Sequence, residues 1–293
     1  MAVLRKIIKK ILVPIFVRGD RVLVSLKLVK PRIIIYMDGG LCSQMNMWIQ
    51  GQYYAEQGYP VYYDLDWFRR DGKGIDGVSI RHYELETLWP NIRVKTMSRI
   101  SMLFYRYLLP WKEVHCQLPP AKEIHRSVYF KGYNHLEEQD KIRLYHIYFN
   151  IKTANMTEKM RLGEKRYCGV HVRRGDLANV ANIAVYPQMS EGYFIRAIDY
   201  VAQHEEIDEF LLFSEDAQWL RENILPNTTA KCRVIEGNKG YEDLMLLAQC
   251  HIIISSQGSF GPTAALINPN CELLIRNTET AKLSYAKKEK QIM

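Results

Sequence analysis

The chain has little with which to cross-link itself. Its six cysteines, Cys42, Cys116, Cys168, Cys232, Cys250 and Cys271, lie far apart, with no CxxC pair and no histidine at zinc spacing. That spacing argues against both a zinc module and a disulfide framework. Several stand inside apolar runs, where reduced cysteine behaves as a small hydrophobe, and a reducing cytosol is expected. A long uncharged run is also missing. A spanning helix needs roughly twenty largely apolar residues, and Arg5, Lys6, Lys9 and Lys10 break up the only early candidate. No small-residue cleavage site follows a long apolar core, so a secretory signal is not indicated. There is no repeat at solenoid period and no low-complexity tract. Most of the chain lacks any surplus of charge. Of 293 residues with a net charge of +8, residues 1–32 alone hold nine basic side chains against one acid, Asp20, and the remainder balances. A basic body tracking nucleic acid is thereby excluded.

What is present begins with that basic segment. Val3, Leu4, Ile7, Ile8, Ile11, Leu12, Ile15 and Phe16 recur at helical spacing, with Arg5, Lys6, Lys9 and Lys10 on another face. Such a helix either lies on an anionic membrane surface through residues 1–17 or docks on the protein's own core. Pro14 is expected to kink or end it. From Arg32 the pattern becomes β-α-β. An apolar strand at Ile33 to Tyr36 meets the turn Asp38-Gly39-Gly40, then a helix from Leu41 to Gln57 and a strand from Tyr59 to Asp64. Residues 66–80 read as an exposed loop. A helix over Ser98 to Leu109, a strand at Val128 to Phe130 and a charged helix from about Leu136 to Phe149 follow. The polar stretch Lys152 to Arg166 is the expected passage into a second domain. The organisation predicted is a basic segment over residues 1–30, an α/β domain over 31–160 and a second over 161–293.

The second half alternates more cleanly. Strands at 167–172, 209–214, 232–236, 251–255 and 272–276 are separated by helical segments near 189–204, 216–223, 241–250 and 259–267. Short apolar strands between helices predict a parallel sheet covered on both faces. The first strand runs straight into Arg173-Arg174-Gly175-Asp176. A guanidinium offers a planar fork of donors that matches phosphate oxygens, so two on a glycine turn suggest a diphosphate. Taken alone, the same turn fits solvated surface arginines. Its tripeptide Arg-Gly-Asp is no adhesion signal, since Arg18-Gly19-Asp20 repeats it by chance. Parallel topology brings three loops to one edge: Arg173, Arg174 and Asp176; Ser214-Glu215-Asp216; and Ser255-Ser256-Gln257-Gly258-Ser259. Phosphate-binding arginines, carboxylates able to accept from a guanine edge or a ribose, and a hydroxyl-rich helix start would then converge. Asp216 and Ser255 also suit plain helix caps.

Together these loops resemble the α1,2-fucosyltransferases and, more widely, the α1,2-, α1,6- and protein O-fucosyltransferase superfamily. His171-Val172-Arg173-Arg174-Gly175-Asp176 is similar to the HxRRGD signature, and Phe213-Ser214-Glu215-Asp216 to the second motif. Ser255 to Phe260 with Ala264-Ala265-Leu266-Ile267-Asn268 is similar to the third. Gly39-Gly40-Leu41-Cys42-Ser43-Gln44-Met45 resembles GGLGNQM, and Lys131-Gly132-Tyr133 resembles part of GYFQ. The resemblance implies a GT-B type α/β architecture of two Rossmann-like domains facing across a cleft. It implies GDP-β-L-fucose as donor, inverting transfer to O2 of a galactose in a cell-surface glycan such as O-antigen, lipopolysaccharide or capsule, and no cofactor or metal. Arg173 and Arg174 would bind the diphosphate, with Asp176 beside them. His171 and Asp216 would read guanine, and Ser255, Ser256, Gln257 and Ser259 would line the phosphate site. Gly39, Gly40, Ser43 and Gln44 would lie on the acceptor side. Ser43 and Cys42 depart from the motif's Asn and Gly, Glu215 replaces a shorter residue, and Gly261-Pro262-Thr263 stands where aromatics are usual. A general base is not evident; Asp38 and Glu242 are the candidates. A related transferase with another nucleotide-sugar donor and a non-catalytic membrane-peripheral module are the alternatives. The expected setting is a bacterial cytoplasm, peripheral on the inner face of the membrane.

Overall fold

Four residues in a row, Ile33 to Tyr36, have no polar face to offer solvent, and all four are buried. They form the strand around which the first of two units is built. The computed structural model describes residues 2–70, 72–74, 80–109, 111–113, 118–132, 136–175, 188–276 and 289–291. One unit comprises Met1–Gly72, Arg81–Leu85 and Asn91–Leu144; the other comprises Lys73–Ile80, Glu86–Pro90 and Tyr145–Met293.

In chain order the first stretch holds α1 (Ala2–Ser25), β1 (Ile33–Tyr36), α2 (Leu41–Ala55), β2 (Val61–Asp64), α3 (Asp66–Arg70), α4 (Leu85–Leu88), α5 (Arg99–Leu108), β3 (Trp111–Glu113), β4 (Val128–Lys131) and α6 (Glu138–Tyr148). The sheet order is β2-β1-β4-β3, with every pair parallel. Its core sets Ile34, Tyr36 and Tyr129 against Met102, Tyr105 and Leu109. Two expectations are corrected here. Residues 66–80 are not loop throughout, because Asp66 pairs with Arg70 one turn later and closes α3. Nor does Pro14 end α1, which runs on to Ser25. A proline inside a helix costs roughly 3 kcal/mol, and docking beyond it offsets that cost. Phe16 meets Phe104 and Tyr105 edge-on, at centroid distances of 4.8 and 5.9 Å. Asp20, one turn on, accepts from the N–H and hydroxyl of Ser127 at 2.6 and 2.8 Å. The second half of α1 is therefore fastened to its own unit.

The second stretch holds β5 (Tyr167–His171), α7 (Glu191–His204), β6 (Glu209–Phe213), α8 (Ala217–Trp219), β7 (Cys232–Ile235), α9 (Gly240–Leu247), β8 (Ile252–Ser255), α10 (Phe260–Ile267), β9 (Leu273–Arg276) and β10 (Glu289–Gln291). All are paired in parallel in the order β10-β9-β8-β5-β6-β7. The chain thus lays down β5, β6 and β7 to one side, then crosses over to place β8, β9 and β10 on the other. That is the doubly wound order of a dinucleotide-binding sheet, and its switch point lies between β5 and β8. The expected α/β class, with two Rossmann-like parallel-sheet units and an N-terminal helix before the first strand, is the one observed. Val170, Leu212 and Ile254 on the central strands pack with Phe194, Ile198 and Val201 of α7.

Candidate active site at the carboxyl edge of the second sheet

His171 closes β5 and is buried. Its Nδ1 lies 3.2 Å from Ser256 Oγ, and its ring stacks on Phe260 with centroids 4.6 Å apart. Burial, helped by the Arg173 charge, pushes its pKa down to about 3. The ring is neutral at physiological pH, a hydrogen-bonding edge rather than a charge.

The two arginines that follow part company. The main-chain N–H of Arg173 donates to Ser256 Oγ at 3.1 Å, so one hydroxyl ties together His171, Arg173 and the loop after β8. The Arg173 guanidinium passes over Gly258, where an added Cβ would stand 3.4 Å from Nη1 and where φ is +102°. The left-handed backbone calls for glycine there. Ser255 Oγ donates to the Ser256 carbonyl at 2.8 Å. A side chain on Gly261 would clash with Ser255, so the first turn of α10 sits hard against the end of β8. Ser255 is therefore a packing residue of that junction, not a cap. Gln257 is buried beside it, and Ser259 is the N-cap of α10 with no side-chain capping bond. Tyr193 of α7 braces the edge from below, donating to the Ser255 carbonyl at 3.0 Å.

Arg174 goes to the β6 side. Its guanidinium carbon lies 4.2 Å from the centroid of the Trp219 ring, and its Nε is 3.8 Å from Asp216 Oδ2. Asp216 Oδ1 accepts from the Trp219 N–H at 3.0 Å, so this carboxylate does cap α8. Glu215 lies across Gly175, its Cδ 3.2 Å from where a Cβ would be. Arg173, His171, Ser255, Ser256 and Gln257 thus gather at the switch point, while Arg174 and Asp216 gather one strand away. Asp176 and Tyr133 lie outside the described residues. Glu242 is spent locally: its Oε2 accepts from the Lys239 N–H at 2.7 Å and caps α9.

In the other unit, Asp38 follows β1, and burial holds its carboxyl above the usual range against the opposing pull of Lys131. Gly39, at φ +77°, makes the turn, and Gly40 is the N-cap of α2. Ser43 lies in the first turn of α2. Gln44 is fully buried; its Nε2 donates to the carbonyls of Gly39 and His82 at 3.2 and 2.8 Å, and its Oε1 accepts from the Glu84 N–H at 2.9 Å. These bonds hold the turn and the 82–84 segment together.

Two site residues carry no role in the sequence reading, Phe260 and Trp219. The first stood in the third motif without a partner; the second sits three residues after Asp216, where a helix start brings it back over the loop.

The model of glycosyl transferase family 11 matches residues 82–292. The chain belongs to glycosyl transferase family 11. Its relatives fit that membership. An alpha-1,2-colitosyltransferase of Escherichia coli is 26% identical over 255 residues, covering 78% of this chain and 85% of its own. A galactoside alpha-(1,2)-fucosyltransferase 1 of Alouatta belzebul is 31% identical over 152 residues, 46% of this chain, which spans only 39% of that relative's length. Among solved structures the chain is similar to NodZ alpha-1,6-fucosyltransferase soaked with GDP-fucose, at TM-score 0.49 and 13% identity, covering 82% of this chain and 94% of that one. As a family 11 member the protein is a glycosyltransferase.

Proposed function

We propose that the chain transfers L-fucose from GDP-β-L-fucose to O2 of a galactose residue in a cell-surface glycan, with inversion. The observation that carries the reading is the placing of Arg173 at the switch point, its backbone fastened to Ser256 and its guanidinium laid over Gly258. Doubly wound sheets bind nucleotides there. As the bond from the sugar to the diphosphate breaks, negative charge grows on the leaving group. Donors fixed beforehand by Arg173, the Ser256 to Ser259 turn and the start of α10 stabilise that charge more than the ground state. Neutral His171 supplies a hydrogen-bonding edge to the nucleotide, and Arg174 with Asp216 borders it. The colitosyltransferase relative supports a second sugar on the same nucleotide grip, and the acceptor decides nothing between them.

Thermal unfolding with GDP, UDP, CDP or ADP, each with EDTA, tests the grip. A ligand at ~100 times its Kd adds about 2.7 kcal/mol, so GDP alone should raise Tm by several degrees. A shift with another nucleotide and none with GDP would end the donor assignment. Release of GDP from GDP-fucose with a galactose-ended acceptor then tests the transfer itself.

For the acceptor hydroxyl we assign Asp38 as base. A base works ionised, and the Asp38 pKa is raised. Activity should therefore fall as pH drops through a value above the usual carboxylate range, and Asp38→Asn should lower kcat and abolish that acid limb while leaving the GDP-induced rise in Tm unchanged. An unaltered limb in Asp38→Asn would assign the base elsewhere.

A further inference from the structure

Helix α5 is apolar on two faces. Met102, Tyr105 and Leu108 are buried in the first unit's core. Ile100, Leu103, Phe104 and Tyr107, at spacing i, i+3, i+4, i+7, form a second stripe that is open to solvent, with Ile100 82% and Tyr107 55% exposed. Helix α1 behaves likewise. Phe16 and Asp20 fasten one side of it, and the side away from them shows Ile11, Ile15 and Val22, four and seven residues apart, each more than half exposed. Leu12 and Leu23, four residues before and seven after Phe16 and 45% and 43% exposed, carry the apolar surface of α1 round to Phe104, which is partly exposed and packs edge-on against Phe16. Large apolar side chains gathered in one patch on a folded unit mark a surface that something covers.

The charge around the patch says what. The first 32 residues carry nine cations and a single acid, and that acid, Asp20, is committed to Ser127. Arg126 is lowered in pKa chiefly by burial, with Arg21 lowering it further and Asp20 raising it. A second copy of this chain would bring cations onto cations. An anionic bilayer surface offers both what the stripes lack and what the exposed cations lack: an acyl boundary for the apolar side chains and phosphates for Arg21, Arg18 and Lys10. Among the described residues no helix is long and apolar enough to cross a membrane.

We propose that α1 and α5 together form one membrane-seating face that rests on anionic phospholipid, with α5 contributing as much to it as the basic N-terminal helix. The face is independent of the donor assignment.

Sedimentation of the full chain with vesicles of phosphatidylcholine alone, or with phosphatidylglycerol added, tests it. Binding should require phosphatidylglycerol and weaken as salt rises. Ile100→Ser with Tyr107→Ser, both on the exposed stripe, should reduce binding by ~10-fold or more, with Tm and its response to GDP unchanged. Arg18→Ser with Arg21→Ser should reduce it similarly. Undiminished binding by the α5 variant would overturn the two-helix face and leave the N-terminal helix acting alone. Equal binding to phosphatidylcholine would overturn the anionic partner. No binding to vesicles, with a dimer in solution that the α5 variant dissolves, would replace the membrane with a second copy.

Discussion

Arg173→Ala is expected to lower turnover with GDP-fucose by at least ~100-fold, the loss seen when one preorganised donor to a developing negative charge is removed. The geometry makes Arg173 the more telling of the pair. Its main chain is pinned by Ser256 and its side chain crosses Gly258, whose left-handed backbone disfavours any larger residue. Its guanidinium is therefore delivered to the switch point by packing, with little freedom left to lose on binding. Arg173→Lys should recover only a small part, because an ammonium is a point charge and does not reproduce the planar fork. The measurement is initial rate at saturating donor, with far-UV circular dichroism and Tm as controls for folding. Since the effect is assigned to the transition state, kcat should fall much further than GDP affinity does. Near-normal turnover in Arg173→Ala would remove the diphosphate assignment and with it the proposed activity.

The strands were legible because they are short and apolar throughout. Ile33 to Ile35 and Ile252 to Ile254 have no polar face, and a segment of that kind between helices has nowhere to go but the middle of a parallel sheet. The convergence of three loops followed from parallel topology alone. Strand order did not, because pairing is decided by contacts between segments far apart in sequence, and so the division of the site stayed hidden. Nothing in the run Arg173-Arg174 says that one arginine turns toward β8 and its neighbour toward β6. Both arginines lie in the loop beyond β5, and only the sheet order says that β8 flanks that loop on one side and β6 on the other. Of the two outcomes expected at Pro14, a kink or an end, the end fails for a related reason. The local rule is sound, but Phe16 and Asp20 dock beyond it, and tertiary contacts outweigh a local cost of that size.

The first unit rests on an ion pair that the apolar pattern concealed. Asp64 ends β2 and is 1% exposed, yet it carries a charge. Arg106 of α5 grips it from Nε and Nη2 at 2.9 and 2.7 Å, and the Tyr129 hydroxyl donates to its Oδ2 at 2.5 Å. Burial and the neighbouring carboxylate both raise the Tyr129 pKa, so the phenol stays protonated and remains a donor. Arg106→Met would keep the length of the side chain and strand the carboxylate. Breaking a buried pair on one side costs about 3–5 kcal/mol, so Tm should fall by roughly 10 °C or more. The double variant Asp64→Leu with Arg106→Leu should recover part of that loss, since it removes the desolvation cost together with the attraction but takes Arg106 from Asp66 and the Asp64 acceptor from the buried Tyr129 hydroxyl. Additive losses in the double variant would mean that the two side chains stabilise the unit separately. The same grip fixes the rotation of α5 on the sheet. Arg106 and the buried trio Met102, Tyr105 and Leu108 face inward together, and that rotation is what leaves Ile100 and Tyr107 facing out. Arg106→Met should accordingly lose vesicle binding at temperatures well below its own Tm, whereas the Leu double variant, with α5 again held by apolar packing, should keep it.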